Sequence, residues 1–279
     1  MSEEPHARWH AEALWRQLEP ALRGLSVEVV ARAESTNTLL LERARHTAGR
    51  RSGDRQPCLL VAEHQTRGRG RLGREWLAER GSSLTFSLAL VLRPPSWSGL
   101  SLAVGVALAE ALDPPADGRP PRIGLKWPND LWLWEAPGQG RKLGGVLIET
   151  VQLGHERMAV VGVGLNLRKL PAVGLSQGYA SLDEINDGSE APEVLAHVAP
   201  PLVAALQGFE RDGLAPFLPV YARRDVLAGQ TVATLGGAVL AGKAEGIDAD
   251  GALLVRDGQG LHAVTSGELS VRLQDAPGC

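Results

Sequence analysis

The chain has 279 residues, 44% of them hydrophobic, enough for one large domain and a small one around a substantial core. Its 29 Lys plus Arg against 32 Asp plus Glu leave a net charge of −3, which excludes a general attraction to polyanions, and two cysteines exclude a disulfide framework or a Cys-based metal site. No apolar run approaches the ~18 residues of a membrane span, and the acidic start "MSEEPHARWH" lacks the basic head and apolar run of a secretion signal, so the expected location is the cytoplasm.

Residues 5–24 place Trp9, Leu14, Leu18 and Leu22 at helical spacing and predict an amphipathic helix. From "SVEVVARAES" onward the pattern changes to short apolar runs that predict strands: "VEVVA", "CLLVAEH", "LTFSLALVL", "IGLKW", "DLWLW", "KLGGVLIETV" and "MAVVGVGLNL". Gly, Pro and Asp between most of them favour antiparallel hairpins and meanders. Helices are predicted at "TNTLLLERARHTA", at "SGLSLAVGVALAEAL" and within 191–224, and beyond Gly229 the short runs punctuated by Gly and Asp-Gly predict a separate small barrel of about 45 residues. Strands clustered with a few helices, without regular βαβ alternation, predict an α+β fold with a mixed sheet.

After "CLLVAEH" comes "GRGRLGR", in which Gly68, Gly70 and Gly73 satisfy G-x-G-x-x-G. A dinucleotide turn needs a crossover helix next, but the chain runs within a few residues into another strand, and no acidic residue is placed to hold a ribose. A solvated basic loop is the plain alternative. Against it, Arg67, Arg69, Arg71 and Arg74 crowd into eight residues of an acidic protein and repel one another unless an anion visits. Glycines that let the backbone close on a ligand, with guanidinium forks between them, predict a lid over a small phosphate or adenylate, mobile when empty.

Upstream, "ESTNT" sets Ser35, Thr36 and Asn37 between a strand and a helix, a helix cap that also offers hydroxyl and amide groups to a neutral polar head such as a ureido group. Downstream, "LKWPNDLWLW" brings Lys126 into a Pro-Asn-Asp turn with Asp130 four residues on, a pair suited to polyphosphate and its Mg²⁺. Trp127 in the same turn reads as core. In "RKLGGVLIET", Lys142 leads a strand with Gly144 and Gly145 behind it, and "VVGVGLNL" repeats the feature with Gly162, Gly164 and then Asn166. Glycines inside strands mark close approach, here read as room for something flat. The seven histidines show no metal-ligand spacing, and no Ser-His-acid set declares itself.

In this order, "STN", "GRGRLGR", "KWPND", "KLGGVLIE", "GVGLNL", "GID..GALL" and "GELSVR" closely resemble the biotin protein ligases, over roughly residues 28–273. The resemblance implies a catalytic domain related to class II aminoacyl-tRNA synthetases and lipoate ligases, and a C-terminal SH3-like β-barrel. It implies a helical extension over 1–27, the catalytic domain over 28–224 and the small domain over 225–275. The implied activity joins biotin to ATP as biotinyl-5′-AMP, with Mg²⁺, and passes biotin to one lysine of a biotin carboxyl carrier protein or domain.

By matched position, the resemblance assigns Ser35, Thr36, Asn37 and Gln65 to the ureido end of biotin or the shape of its pocket. Arg69, Gly70 and Arg71 line the biotin and adenylate loop, with Arg74 and Gly145 beside them. Lys142 meets the biotin carboxylate and α-phosphate, and Trp76 stacks on adenine. Lys126 and Asp130 serve phosphates and metal, Asp130 also being a candidate to assist the incoming lysine. Asn166 contacts phosphate, and Glu268 and Arg272 reach the site from the C-terminal domain. Ser83 stands where the family often has a bulkier residue, and "YASLDEI" lacks a threonine often seen near Ser181. Some family members carry an N-terminal DNA-binding repressor domain. The single helix before Val27 is too short for one, so no specific DNA binding is expected. A homodimer is left open.

The enzymatic rival is a lipoyl or octanoyl ligase or transferase of the same fold, disfavoured by "GRGRLGR" and the C-terminal β region. A nucleic-acid-binding rival is disfavoured because aromatics make up 4% of the chain and none interleaves the arginine loop.

Overall fold

The computed structural model describes residues 9–47, 55–116, 118–169, 178–186, 188, 190–235, 241–265 and 270–273. In chain order the elements are α1 (Ala11–Leu18), β1 (Ser26–Val30), α2 (Thr36–Thr47), β2 (Cys58–Ala62), β3 (Gly68–Arg69), β4 (Glu75–Trp76), β5 (Ser83–Val91), α3 (Leu100–Leu112), β6 (Ile123–Lys126), β7 (Asp130–Ala136), β8 (Gln139–Leu153) and β9 (Glu156–Asn166). They continue with α4 (Ala191–Asp212), α5 (Leu218–Arg224), β10 (Thr231–Leu235), β11 (Ala241–Ile247), β12 (Leu253–Asp257), β13 (Gly260–Val264) and β14 (Ser270–Leu273).

The main sheet has the order β1-β2-β5-β9-β8-β7-β6. It is mixed: β1 and β2 are parallel, so α2 is their crossover, while β2–β5, β5–β9, β8–β9 and β6–β7 are antiparallel. A mixed sheet was expected, but not which strands would run parallel; β1 and β2 do, with a helix in their long connection. By contact density the chain forms two units, Met1–Arg93 with Gly144–Leu175 and Ala180–Ala204, and Pro94–Leu143 with Ser176–Tyr179 and Ala205–Cys279. Strand β8 passes from the second into the first between Leu143 and Gly144.

In the first unit, all of β5 pairs with β9, from Ser83↔Asn166 to Val91↔Met158. Both are covered on two faces, which explains their near-continuous apolar sequence. Helix α2 packs Leu40, Leu41 and Ala44 onto Leu60, Ala89, Met158 and Val160. Each buried leucine contributes about 2 kcal/mol of transfer free energy, so this contact fixes where the helix N-terminus, and with it Thr36 and Asn37, must lie. Helix α1 lies on β1, and Trp15 Nε1 donates to the Leu25 carbonyl at 2.9 Å.

In the second unit α3 is apolar all round and mostly buried. It ends at Asp113, 2% exposed, whose carboxylate takes the Arg122 and Ile123 amides at 2.7 and 3.1 Å and Arg224 Nη1 at 3.1 Å. Arg224 also donates to the carbonyls of Ile123 and Asp113. Burial pushes the Asp113 carboxyl up, but the Ile123 amide and the Arg224 guanidinium outweigh it and hold it below the usual range. This buried ion pair clamps the start of β6, the strand that carries Lys126. The C-terminal strands form a separate antiparallel sheet in the order β13-β12-β11-β10-β14. Among the described residues that sheet is open, with β13 and β14 at its edges.

Candidate active site

The first group of predicted residues gathers at the N-terminus of α2. Ser35 begins the helix: its carbonyl accepts the Leu39 amide at 3.0 Å and its hydroxyl faces the Thr38 amide at 3.4 Å. Ser35, Thr36, Asn37 and Gln65 are all buried, at 8% exposure or less. Gln65 Oε1 accepts the Thr36 amide at 2.7 Å and lies 3.1 Å from the Thr36 hydroxyl. Ser87, in mid-β5 and wholly buried, sits 2.6 Å from both Thr36 Oγ1 and Asn37 Oδ1.

The Asn37 amide is oriented by its other contacts. Its Nδ2 donates to the Leu147 carbonyl at 3.1 Å and to Glu149 Oε2 at 3.0 Å, so Oδ1 must face Ser87. Both amide protons are therefore used, and Asn37 shapes the pocket. Two hydroxyl protons, from Thr36 and Ser87, have three short oxygen contacts to serve, since Gln65 Oε1 and Asn37 Oδ1 only accept. The hub is donor-poor.

The arginine loop is a small hairpin, β3 pairing β4 as Gly68↔Trp76 and Arg69↔Glu75, with the Gly70 amide bonded to the Arg74 carbonyl at 2.7 Å. A short 3₁₀ turn, Arg71–Gly73, forms its tip, where Leu72 takes a left-handed conformation at φ 58° and is exposed. The arginines do not rely on a visiting anion alone: Arg67 lies 3.5 Å from Glu34 and Arg69 lies 3.5 Å from Glu149 and 3.4 Å from Thr38 Oγ1. Arg71 is half-buried and Arg74 exposed.

The strand glycines are approached by the protein's own side chains. A Cβ at Gly162 would meet Asn37 Oδ1 at 2.2 Å, and one at Gly164 would meet the Trp76 indole at 2.5–2.9 Å. The flat group admitted by Gly164 is thus Trp76, which half-covers that stretch of β9. Gly145 is the register partner of Gly164, and Asn166, buried at the end of β9, donates from Nδ2 to the Ala180 carbonyl at 3.0 Å.

The second group is built on the β6–β7 hairpin, where Lys126 and Asp130 are register partners. The turn thus presents the two residues side by side, as the spacing predicts. Lys126, 4% exposed, sits over the Trp132 ring with Nζ 4.4 Å from its centroid, and Asp130 Oδ1 accepts from Lys142 Nζ at 2.7 Å. Trp127 is core, as the sequence implied: it is 2% exposed and its Nε1 donates to the Gly251 carbonyl at 3.0 Å. Ser101 on α3 ties down the turn through the Pro128 carbonyl at 3.1 Å. Beside the turn a small open cleft is lined by Leu102, Leu125, Lys126, Asn129, Asp130 and Tyr221. Asp225 is buried, and burial raises its carboxyl to about 6 and the Tyr221 phenol well above 10.0.

Among the described residues no three His, Cys, Asp or Glu side chains converge as a metal site, so a divalent cation here would take most of its ligands from phosphate and water, with Asp130 the available carboxylate. No described helix is long and apolar enough to cross a membrane. Arg272 lies in β14 opposite Ala233, its side chain outside the described residues, as is Glu268 entirely.

Sequence reading missed Ser87, Glu149 and Trp132. The signal for Ser87 was available: Ser83, Thr85 and Ser87 alternate with Leu84, Phe86 and Leu88, marking a polar stripe inside a strand. Glu149 and Trp132 stand inside strand runs that carry no comparable signal.

Residues 29–166 match the Biotin/lipoate A/B protein ligase family and residues 229–272 the Biotin protein ligase C terminal domain. The chain is 35% identical over 264 residues to the bifunctional ligase/repressor BirA of Escherichia coli (strain K12), covering 92% of this chain and 77% of that one. It is 32% identical over 252 residues to the biotin--[acetyl-CoA-carboxylase] ligase of Paracoccus denitrificans, covering 86% of this chain and 98% of that one. Among solved structures, the biotin protein ligase from Aquifex aeolicus in complex with biotin and ATP superposes with a TM-score of 0.68 at 29% identity, over 90% of this chain and 100% of that one.

Proposed function

The chain belongs to the biotin protein ligase family, and from that premise we propose how its residues divide the work of an ATP-dependent biotin ligase. The protein activates biotin as biotinyl-5′-AMP and transfers it to a lysine of a biotin carboxyl carrier protein or domain. In the first step a biotin carboxylate oxygen bonds to the α-phosphorus of ATP and pyrophosphate leaves. In the second the acceptor amine bonds to the acyl carbon, AMP leaves, and the amine gives up its proton to a base.

The donor-poor hub of Thr36, Asn37, Gln65 and Ser87 carries the choice of substrate. Three buried oxygen contacts served by two protons favour a ligand that brings N–H donors, which the ureido ring of biotin does and the dithiolane of lipoate does not. The lipoyl alternative is correspondingly weaker.

In this reading Ser35, Thr36 and Gln65 meet the ureido group while Asn37 holds them in shape, and Arg69, Gly70 and Arg71 close over the biotin and adenylate. Lys142 neutralises the carboxylate and α-phosphate charge as it develops. Arg74 and Asn166 add phosphate contacts, Trp76 faces adenine, and Gly145 leaves room for the acyl chain. Lys126 takes the polyphosphate, and Asp130 holds Mg²⁺ or accepts the proton of the acceptor lysine. Bound Mg²⁺ would supply charge neutralisation on the leaving pyrophosphate. Glu268 and Arg272 are assigned to the site from an SH3-like domain over 225–275, following a catalytic domain over 28–224 and an extension over 1–27. The site of action is the cytoplasm, and a homodimer is compatible with it.

The deciding experiment incubates the protein with ATP, a carrier domain and either biotin or lipoate, following pyrophosphate release and the mass of the carrier. A mass increase of one biotin on one lysine is expected. Turnover with lipoate alone overturns the reading.

A further inference from the structure

Glu149 stands on β8 between the two halves of the biotin end of the site. Its Oε2 accepts from Asn37 Nδ2 at 3.0 Å, and its Oε1 lies 3.5 Å from Arg69 Nη1. Asn37 is the residue that orients Ser87 and fills the space over Gly162. Arg69 belongs to the loop hairpin and is tied a second time, through Thr38 Oγ1 at 3.4 Å, to the first turn of α2. One carboxylate therefore touches both Asn37 at the start of α2 and Arg69 of the loop hairpin.

We propose that Glu149 is a positioning residue for biotin: it orients the Asn37 amide and docks Arg69, so the arginine loop stands in register with the pocket before any anion binds. This rests on the ligase reading of the site. The charges explain why an acid serves at this position. Asn37 Oδ1 must point at Ser87, and an anionic acceptor behind Nδ2 rules out the flipped amide, which would set oxygen against both the Leu147 carbonyl and a carboxylate. The same anion offsets the crowding of Arg69 against Arg67, Arg71 and Arg74. The Arg69 contact is long and its side chains are 49% and 25% exposed, so it is a weak bond that a ligand can displace. A strong one would hold the loop against the substrate.

The role differs from a catalytic one because Glu149 meets biotin only through Asn37 and Arg69. Substituting the isosteric amide, Glu149→Gln, removes the anion and keeps the volume. The initial-rate constants for biotin and for ATP are then measured separately in the biotin-dependent exchange of pyrophosphate into ATP, and the loop is probed by trypsin cleavage between Arg67 and Arg74. In Glu149→Gln the KM for biotin is expected to rise about tenfold, the KM for ATP to stay within about twofold, and the empty loop to be cut faster. Glu149→Asp, which keeps the charge, should restore part of the biotin KM. Equal rises in both KM values with a lowered Tm, or a biotin KM and cleavage rate unchanged from wild type, overturn the positioning role. A wild-type protein without biotin-dependent exchange overturns the ligase reading itself, and the proposal with it.

Discussion

Lys142 Nζ lies 2.7 Å from Asp130 Oδ1, so two residues placed by sequence in the same reaction touch each other. Asp130 is register partner to Lys126, while Lys142 comes from the neighbouring strand. In the proposed reaction the ammonium would exchange this carboxylate for that of the substrate and for the α-phosphate.

That exchange separates the half-reactions. Lys142→Met should lower adenylate formation by about 10²–10³-fold, the usual cost of removing a charge-stabilising donor. Asp130→Asn should leave adenylation within a few-fold and slow transfer to the acceptor lysine by about 10²-fold, as for loss of a general base. Single-turnover measurements of biotinyl-AMP formation and of its consumption by the carrier read the two steps. Equal losses in both steps for Asp130→Asn would reduce Asp130 to a counter-ion for Lys142.

The glycines of β9 make a second pair of predictions. A Cβ at Gly162 meets Asn37 at 2.2 Å, whereas one at Gly164 meets Trp76 at 2.5 Å. Gly162→Ala should therefore disturb the ureido hub and raise the KM for biotin, and Gly164→Ala should push Trp76 out and raise the KM for ATP. Each is expected to shift by about tenfold or more, with tryptophan fluorescence changing only in Gly164→Ala. If both variants moved the same constant, the division of roles between Asn37 and Trp76 would be wrong.

Most elements were legible because their periods are clean: β5 and β9 as apolar runs, α3 as a helix apolar all round, and the hairpin turn at Pro128-Asn129-Asp130. The parallel β1–β2 pair was not, because strand direction depends on a crossover and not on either strand's composition. At the site, residue types named the chemistry, but partners did not follow from spacing. Asp130 sits opposite Lys126 yet binds Lys142, and Glu149 reaches Asn37 and Arg69 across more than 75 residues of chain.

Buried carboxylates set the pH response of the fold in opposite senses. Asp113 is depressed below 3.8, so its contribution is present above that value and is lost as pH falls through the folded pKa. Asp113→Ala would strand Arg224 as a buried, unpaired charge and cost about 3–5 kcal/mol. Asp225 is raised from 3.8 to about 6 by burial. Between those values the folded protein keeps a proton the unfolded chain has lost, so this contribution is full below 3.8 and gone above about 6. Asp225→Asn retains an acceptor for the Leu227 amide. It should flatten the fall in Tm across that window and stabilise the protein above it by up to about 3 kcal/mol. Thermal melts of wild type and variant from about pH 4 to 8 check this, and parallel curves would rule it out.

Arg71 offers the test of retention. It is half-buried and opens the turn Arg71–Gly73 at the loop tip. A guanidinium placed there can hold the adenylate phosphate by two hydrogen bonds, and such charged bonds contribute about 1.5–3 kcal/mol. Losing them should cost little in making the mixed anhydride, which depends on Lys142, and much in keeping it. Arg71→Gly is therefore expected to form biotinyl-AMP but to release it about 10–100-fold faster. Free biotinyl-AMP acylates any exposed amine, so labelling of bystander lysines on an added inert protein should rise while carrier labelling falls. Dissociation of the intermediate at the wild-type rate would show that Arg71 does not retain it.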